Sequence, residues 1–202
     1  MTAQAHSIAI DPEDRLRADL YNFLGLLLAR PADQMLLDQT AGLTGDDSDL
    51  GQAVAGLARV ARVSKIKSVE REFNALFIGL GRGELLPYAS YYLTGFLNEK
   101  PLAKLRQDMA SLSVTRAQNV FEPEDSMAAL METMGGLIVG RFGQVVPLER
   151  QRMFFNNHIA PWATHFYTDL ESAKNSVFYG SVGAVGRAFM AIEKEAFRLT
   201  TG

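Results

Sequence analysis

EREFNALFIGLGRGELLPYASYYLTG, residues 70–95, decides how this chain is read. Phe73, Leu76 and Phe77, with Ile66 and Val69 just upstream, recur at spacings of three and four. That is the period of a helix with one buried face. Gly79, Gly81 and Gly83 then stop the helix and turn the chain. Pro87-Tyr88 makes a corner, and Tyr91 and Tyr92 follow it. Apolar and aromatic surface therefore collects where the backbone turns, a composition suited to gripping a peptide rather than to making bonds.

The same period extends in both directions. Upstream, Asp11-Pro12-Glu13-Asp14 reads as a helix start: Asp11 caps, Pro12 fits the first position, and the acids suit the positive end of the dipole. Leu16, Leu20, Phe23, Leu24, Leu27 and Leu28 form its apolar stripe, and Arg30-Pro31 ends it. A short helix is expected near 32–40, a polar loop at GLTGDDSD (42–49), and a helix carrying Leu50, Val54, Leu57 and Ala61. Ser64 is placed to cap the next one. Downstream, Leu102, Leu105, Met109 and Leu112 define a helix after Pro101. Met127, Leu130, Met131, Met134 and Ile138 define another. Phe155, Ile159, Trp162, Phe166 and Leu170 suggest one long helix kinked at Pro161. The last helix carries Phe178, Val182, Val185, Phe189, Ile192 and Leu199. Gly180, Gly183 and Gly186 along it let a neighbouring helix approach closely. No segment alternates with a period of two. The expectation is an all-α, single-domain bundle of roughly eight to ten helices, preceded by a loose tail over residues 1–10.

Composition narrows the function. The chain has 202 residues, long enough for a sizeable core. Its formal charge is −3 with no basic run, which argues against general nucleic-acid binding. It has no cysteine, so disulfides, thiolate catalysis and cysteine-ligated metals are excluded. The N-terminus lacks the basic start and apolar core of a secretory signal, and no apolar run approaches the ~20 residues of a membrane span. The expected location is the cytoplasm.

Candidate chemistry is sparse. His158 and His165 are seven apart but lack a third ligand, and read as surface or packing histidines. The glycines at 79–83 lack the Lys and the preceding strand of a phosphate loop. No nucleophile–base–orienter set stands out, so an enzyme is not expected, and neither a metal nor a cofactor of its own. Glu122, Glu124 and Asp125 begin the segment FEPEDSMAALMETM (121–134). They suit a helix start, and equally a contact with a partner's arginines, since Arg–carboxylate pairs are bidentate and orientation-specific.

Three motifs in order carry a family resemblance. Phe73-Asn-Ala-Leu76-Phe77 through Pro87-Tyr88-Ala-Ser90-Tyr91-Tyr-Leu93 resembles the aromatic-x-x-Leu-Phe and Pro-Tyr/Trp-x-Ser-x-Tyr-Leu of the TorD/DmsD/NarJ family of molybdoenzyme maturation chaperones. Glu122-Pro123-Glu124-Asp125 is similar to its Glu-Pro-x-Asp-His. Phe155-Asn-Asn-His158-Ile159-Ala-Pro161-Trp162, followed by Phe178-Tyr179, is similar to its Phe-x-x-His-Leu-x-Pro-Trp and later Phe-Tyr. The resemblance covers nearly the whole chain. It implies an all-helical, TorD-like fold and a cytoplasmic chaperone. Its partner would be the precursor of a molybdenum-containing oxidoreductase, held by its twin-arginine leader peptide and also by the enzyme body until the cofactor is inserted. It implies a monomer or a homodimer, some members exchanging domains, with a hinge near 119–125. Carried onto this chain, the peptide-binding residues are Phe73, Leu76, Phe77, Pro87, Tyr88, Tyr91, Glu122, Asp125 and Ser126. Ser126 stands where the family pattern has His, so either the partner differs or Asp125 makes the contact alone. The alternative is a helical assembly scaffold that binds a folded redox-enzyme subunit without reading a leader.

Overall fold

The computed structural model describes residues 10–79, 82–116 and 121–199. The expected tail over residues 1–9, Gly81 of the glycine turn, and residues 119 and 120 of the expected hinge lie outside these. Among the described residues the chain is all-α, with ten α-helices and two π-helical turns. In order they are α1 (Pro12–Ala29), α2 (Gln34–Ala41), α3 (Asp49–Val63), α4 (Ile66–Phe73), α5 (Ala89–Thr94), α6 (Lys100–Ser111), α7 (Met127–Val139), α8 (Leu148–Phe154), α9 (Ala163–Ser172) and α10 (Phe178–Leu199). The π turns are Asn74–Ile78, continuing α4, and Phe155–Ile159, continuing α8. Among the described residues no helix is long and apolar enough to cross a membrane.

The centre is α7. Met127, Leu130, Met131, Met134, Leu137 and Ile138 are all fully buried, as a helix apolar on every side requires. α1 packs along α7, α10 packs on α9 and α3, and α2 covers α3. Close approach explains Gly183 and Gly186 of α10, where a Cβ would press on the Tyr167 carbonyl and overlap the Tyr167 ring of α9, but not Gly180, where a Cβ would meet only ordinary contacts. At the glycine turn, Gly79 has φ +61° and a Cβ there would strike the Arg82 carbonyl, so only glycine fits.

Several sequence expectations shift in register. Leu16 is exposed, and Leu20 and Phe23 are half-buried; the buried face of α1 runs through Ala18, Tyr21, Leu24 and Leu28. In α10, Ile192 and Leu199 face outward, and Met190, Glu193 and Phe197 are buried instead. One cause accounts for both. Glu193, 1% exposed, takes both arms of the Arg17 guanidinium at 2.8 Å and the Tyr21 hydroxyl at 2.9 Å, so α1 and α10 turn their polar residues toward each other. Arg17 also reaches Asp14 at 2.7 Å and stacks over Phe197. Burial alone would lower the Arg17 pKa, but the Glu193 carboxylate outweighs it and the guanidinium is held well above its usual range.

Ser64 closes α3 rather than opening α4: its hydroxyl donates to the Val60 carbonyl at 2.8 Å. The long helix expected over 155–170 is broken, not kinked. Pro161 has no N–H to continue the ladder; the turn before it widens to the π form, and α9 starts afresh at Ala163. The start of α10 is held from a distance. Glu72 of α4 accepts from the backbone N–H of Val177 (2.8 Å), Phe178 (3.1 Å) and Tyr179 (2.6 Å), which satisfies N–H groups that lack intrahelical partners.

Candidate functional site: two clefts at the Tyr88–Ser126 junction

The corner at Pro87-Tyr88 and the acidic turn before α7 meet. Tyr88 and Ser126 form an isolated antiparallel bridge. The Ala89 N–H donates to the Asp125 carbonyl at 2.9 Å, and the Met127 N–H to the Pro87 carbonyl at 2.8 Å. Asp125, 1% exposed, accepts from the Ser90 N–H (2.8 Å) and the Ser90 hydroxyl (2.5 Å). A carboxylate from a distant turn thus caps α5, a six-residue helix that has no local side-chain cap. Ser126 accepts from the Ala129 N–H at 3.2 Å and caps α7. The hydroxyl that replaces the family's His is therefore turned inward.

On the outside of this junction the Tyr88 hydroxyl donates to Glu122. Burial first, and the Glu122 carboxylate second, push the Tyr88 phenol well above its ordinary pKa. Glu122 is exposed and makes no ion pair among the described residues. Glu124 behaves differently: it pairs with Arg106 at 2.8 Å, with Arg116 at 3.9 Å. Burial pushes the Glu124 carboxyl up, but the Arg106 hydrogen bond and charge outweigh it and hold it below its usual value.

Two clefts flank the junction. One, of about 410 Å³, is lined by Ala89, Leu93, Pro101, Leu105, Leu130 and Asp125, with Thr94, Lys100, Lys104, Asn157 and His158 also facing it. Exposed Leu93, Phe96 and Leu97 extend its apolar character along the α5–α6 connection. The other, of about 240 Å³, carries the carboxylates of Glu122, Glu124 and Glu132 beside Met109, Ala129 and Arg116. Neighbouring residues divide between the clefts: Glu124 and Ala129 line the smaller, Asp125 and Leu130 the larger, and Leu105 and Met109 stand one turn apart on α6.

His158, 5% exposed, forms the far wall of the apolar cleft. Its Nε2 lies 2.7 Å from Asp108 on α6. Burial lowers the imidazole pKa more than Asp108 raises it, so the ring is neutral near pH 7. His165 is exposed on α9 and does not share its face. Among the described residues, no three of His, Asp and Glu gather as a metal site would need.

The remaining motif residues sit elsewhere. Phe73 is buried and Leu76 is 0% exposed. Phe73, Phe77 and Tyr179 form a three-ring cluster with centroids 4.9–5.7 Å apart, a packing role in the core. Tyr91 is half-buried under Arg82, which lies 5.1 Å from its ring and bonds its hydroxyl. Tyr92 packs on Trp162 and Phe166, and its hydroxyl reaches Asp169 at 2.9 Å. Sequence reasoning missed Lys100, Lys104 and His158 as cleft residues. A lysine pair four apart on a helix reads as a solvated face, and nothing local marks it otherwise.

The profile of the nitrate reductase delta subunit family matches residues 43–168, which include the whole junction. The chain belongs to that family, which takes in the TorD and NarJ chaperones. Relatives in it are chaperones, not enzymes. The chain is 27% identical over 201 residues to the chaperone protein TorD of Vibrio atlanticus, covering 89% of this chain and 93% of that one. It is 24% identical over 198 residues to the TorD of Aliivibrio fischeri, covering 88% and 92%. A crystal structure assigned as a redox enzyme maturation protein of Archaeoglobus fulgidus superposes with a TM-score of 0.57 at 18% identity, covering 87% and 94%. This likeness bears on the fold, and the all-helical family architecture is the one observed here.

Proposed function

We propose that this chain is a cytoplasmic chaperone for the precursor of a molybdenum-containing oxidoreductase. It binds the precursor's twin-arginine leader, and the apo enzyme body with it, and delays export until the cofactor is in place. The observation that supports this reading is the pair of clefts at the Tyr88–Ser126 junction, one lined by carboxylates and one apolar. A leader of this class has a cationic start with paired arginines, followed by an apolar segment of roughly 7–15 residues. Glu122, exposed and without an ion-pair partner among the described residues, offers the carboxylate that an arginine fork fits. Leu93, Phe96 and Leu97 are exposed at the apolar cleft and offer the apolar segment a surface away from water, above the buried Leu105 and Leu130. On this reading Asp125 and Ser126 build the site rather than touch the arginines, and Tyr88 orients Glu122.

Titrating a labelled leader peptide against the protein by fluorescence anisotropy tests it. The expected result is saturable binding, weakened about fivefold by Glu122→Gln, the size of a partly exposed charge pair. It is weakened further when the paired arginines are replaced by glutamines. Failure of the leader to bind, with capture of a mature subunit that lacks it, would replace this reading with that of an assembly scaffold.

A further inference from the structure

Ile192 and Leu199 are apolar, yet α10 turns both to the outside. They border a groove of about 860 Å³ between the start of α3 and the C-terminal half of α10, larger than either cleft at the junction. Ala184, Ala188 and Ala191 line it along α10, and Leu50 of α3 stands at its side. From Ala184 to Leu199 this face runs about 22 Å by helix rise. Its small residues lie toward the N-terminal end and its bulky apolar ones toward the C-terminal end. Small side chains let a second helix approach to about 8 Å, the near limit of helix packing. Charge is placed symmetrically. Arg187 lies four positions before Ala191 and Glu195 four positions after it, and both line the groove. Each also has a neighbour of opposite sign on its own chain: Glu171 holds Arg187, and Arg198 holds Glu195. Asp49 of α3 lines the groove as well and adds its field to that of Glu171 at Arg187.

We infer that this groove is the docking surface for a second copy of the chain, with α10 lying antiparallel on α10 about a two-fold axis at Ala191. A two-fold contact must complement itself, and this face does so in that orientation. Leu199 falls beside the partner's Ala184, and Ile192 beside the partner's Ala191, so large meets small. Arg187 falls opposite the partner's Glu195, and symmetry repeats the pair on the other side of the axis. The intrachain pairs need not break for this. Glu171, Arg187, the partner's Glu195 and the partner's Arg198 then form a row of alternating sign, and rows of this kind outperform isolated surface pairs. A parallel arrangement would instead set Leu199 on Leu199 and like charge on like charge. One helix face and the start of α3 make a contact smaller than a standard interface of ~1,600 Å², so the dimer is weak and reversible. None of the residues named for this contact lines either cleft at the Tyr88–Ser126 junction, so docking stands apart from the leader reading.

Sedimentation velocity of the full chain over a series of concentrations tests it. The wild type is expected to pass from monomer to dimer with a dissociation constant on the order of 10–100 µM. Ala191→Glu sets two carboxylates together on the axis and should weaken association about tenfold or more. Glu195→Arg alone should weaken it too, and Arg187→Glu/Glu195→Arg should restore it, because opposite charges face each other again. Ala191, Arg187 and Glu195 are all exposed, and thermal melts show that each variant is folded. The chain has no cysteine, so single cysteines report the geometry under a mild oxidant. Ala191→Cys should cross-link to itself through the axis. Ala184→Cys and Leu199→Cys should not, since their two copies lie roughly 20 Å or more apart along the helices. A wild type that stays monomeric throughout overturns the proposal and gives the groove to another occupant. A dimer indifferent to Ala191→Glu, or one that cross-links as readily at Ala184 or Leu199 as at Ala191, overturns it equally. Leader binding by Ala191→Glu should match the wild type, so a failure of the leader to bind bears on the leader reading alone.

Discussion

Replacing Arg17 with alanine should destabilise this protein strongly. The guanidinium fork holds both oxygens of Glu193 at 2.8 Å, and the carboxylate is 1% exposed. With Arg17 gone, Glu193 keeps, among the described residues, the Tyr21 hydroxyl at 2.9 Å. Breaking a buried pair by deleting one partner costs about 3–5 kcal/mol, because a charge is left without compensation. Arg17 is 22% exposed, so water enters part of the vacated space and places the loss near the lower end, at about 3 kcal/mol. For a chain of this size each 1 kcal/mol moves Tm by roughly 2–4 °C, so Tm should fall by roughly 6–12 °C. Circular dichroism melts and urea titrations measure both quantities. The control is the triple replacement Arg17→Met/Glu193→Leu/Tyr21→Phe, which removes the charges and the hydroxyl together. Apolar replacement of a whole buried pair is close to neutral or stabilising, so this variant should melt well above Arg17→Ala. A Tm for Arg17→Ala within 2 °C of wild type, or a triple variant no better than the single one, would refute the claim that an uncompensated Glu193 is what destabilises.

Three further outcomes follow from the site. Asp125→Ala should cost about 1–3 kcal/mol by leaving the Ser90 N–H and hydroxyl without an acceptor, whereas Asp125→Asn keeps an acceptor oxygen and should lose less than half as much; equal losses in urea titrations would discard the capping role. Leu76→Ala should open a core cavity at a cost of about 2–5 kcal/mol, yet bind a leader peptide with wild-type affinity at a temperature where it is folded, and weakened binding by the folded variant would place Leu76 in the groove. The lowered His158 pKa means that the unfolded state takes up a proton first. His158 therefore contributes a stability that is intact above about pH 6.5 and is lost as pH falls from there through the lower folded value. Denaturation series between pH 8 and pH 5 should show this loss, and His158→Gln should flatten it.

How much of this was legible in the sequence depends on where the determining contacts lie. α7 was legible because every one of Met127, Leu130, Met131, Met134 and Ile138 is apolar and buried; local pattern and tertiary demand agree. α10 was half legible. Its N-terminal face was read correctly, but Glu193 looks like any solvated glutamate until Arg17, 176 residues away, is brought against it. α5 is not legible as a helix, since its six residues are capped from the Asp125 turn rather than locally. Pro161 marks the break in the sequence, but a kink and a widened turn look alike there, because a widened turn has no signature of its own in residue types. At the site, the motifs Pro87-Tyr88 and Glu122–Asp125 are indeed brought together. Phe73 and Leu76 are equally prominent as motif residues but serve the core with Tyr179. Periodicity separates buried from exposed; it does not separate a buried ring in a core from one that lines a groove.

The Tyr88–Ser126 bridge has an architectural consequence. The corner at residue 88 and the turn at residue 126 are fastened to each other by two backbone hydrogen bonds and the Asp125–Ser90 cap. The segment that carries α5 and α6 is therefore clasped where it begins and ends, and it is held again along its flank by Tyr92–Asp169 and Asp108–His158. It behaves as a buckled strap rather than a free loop: loosening the clasp should leave the flank contacts to hold α5 and α6 against the bundle.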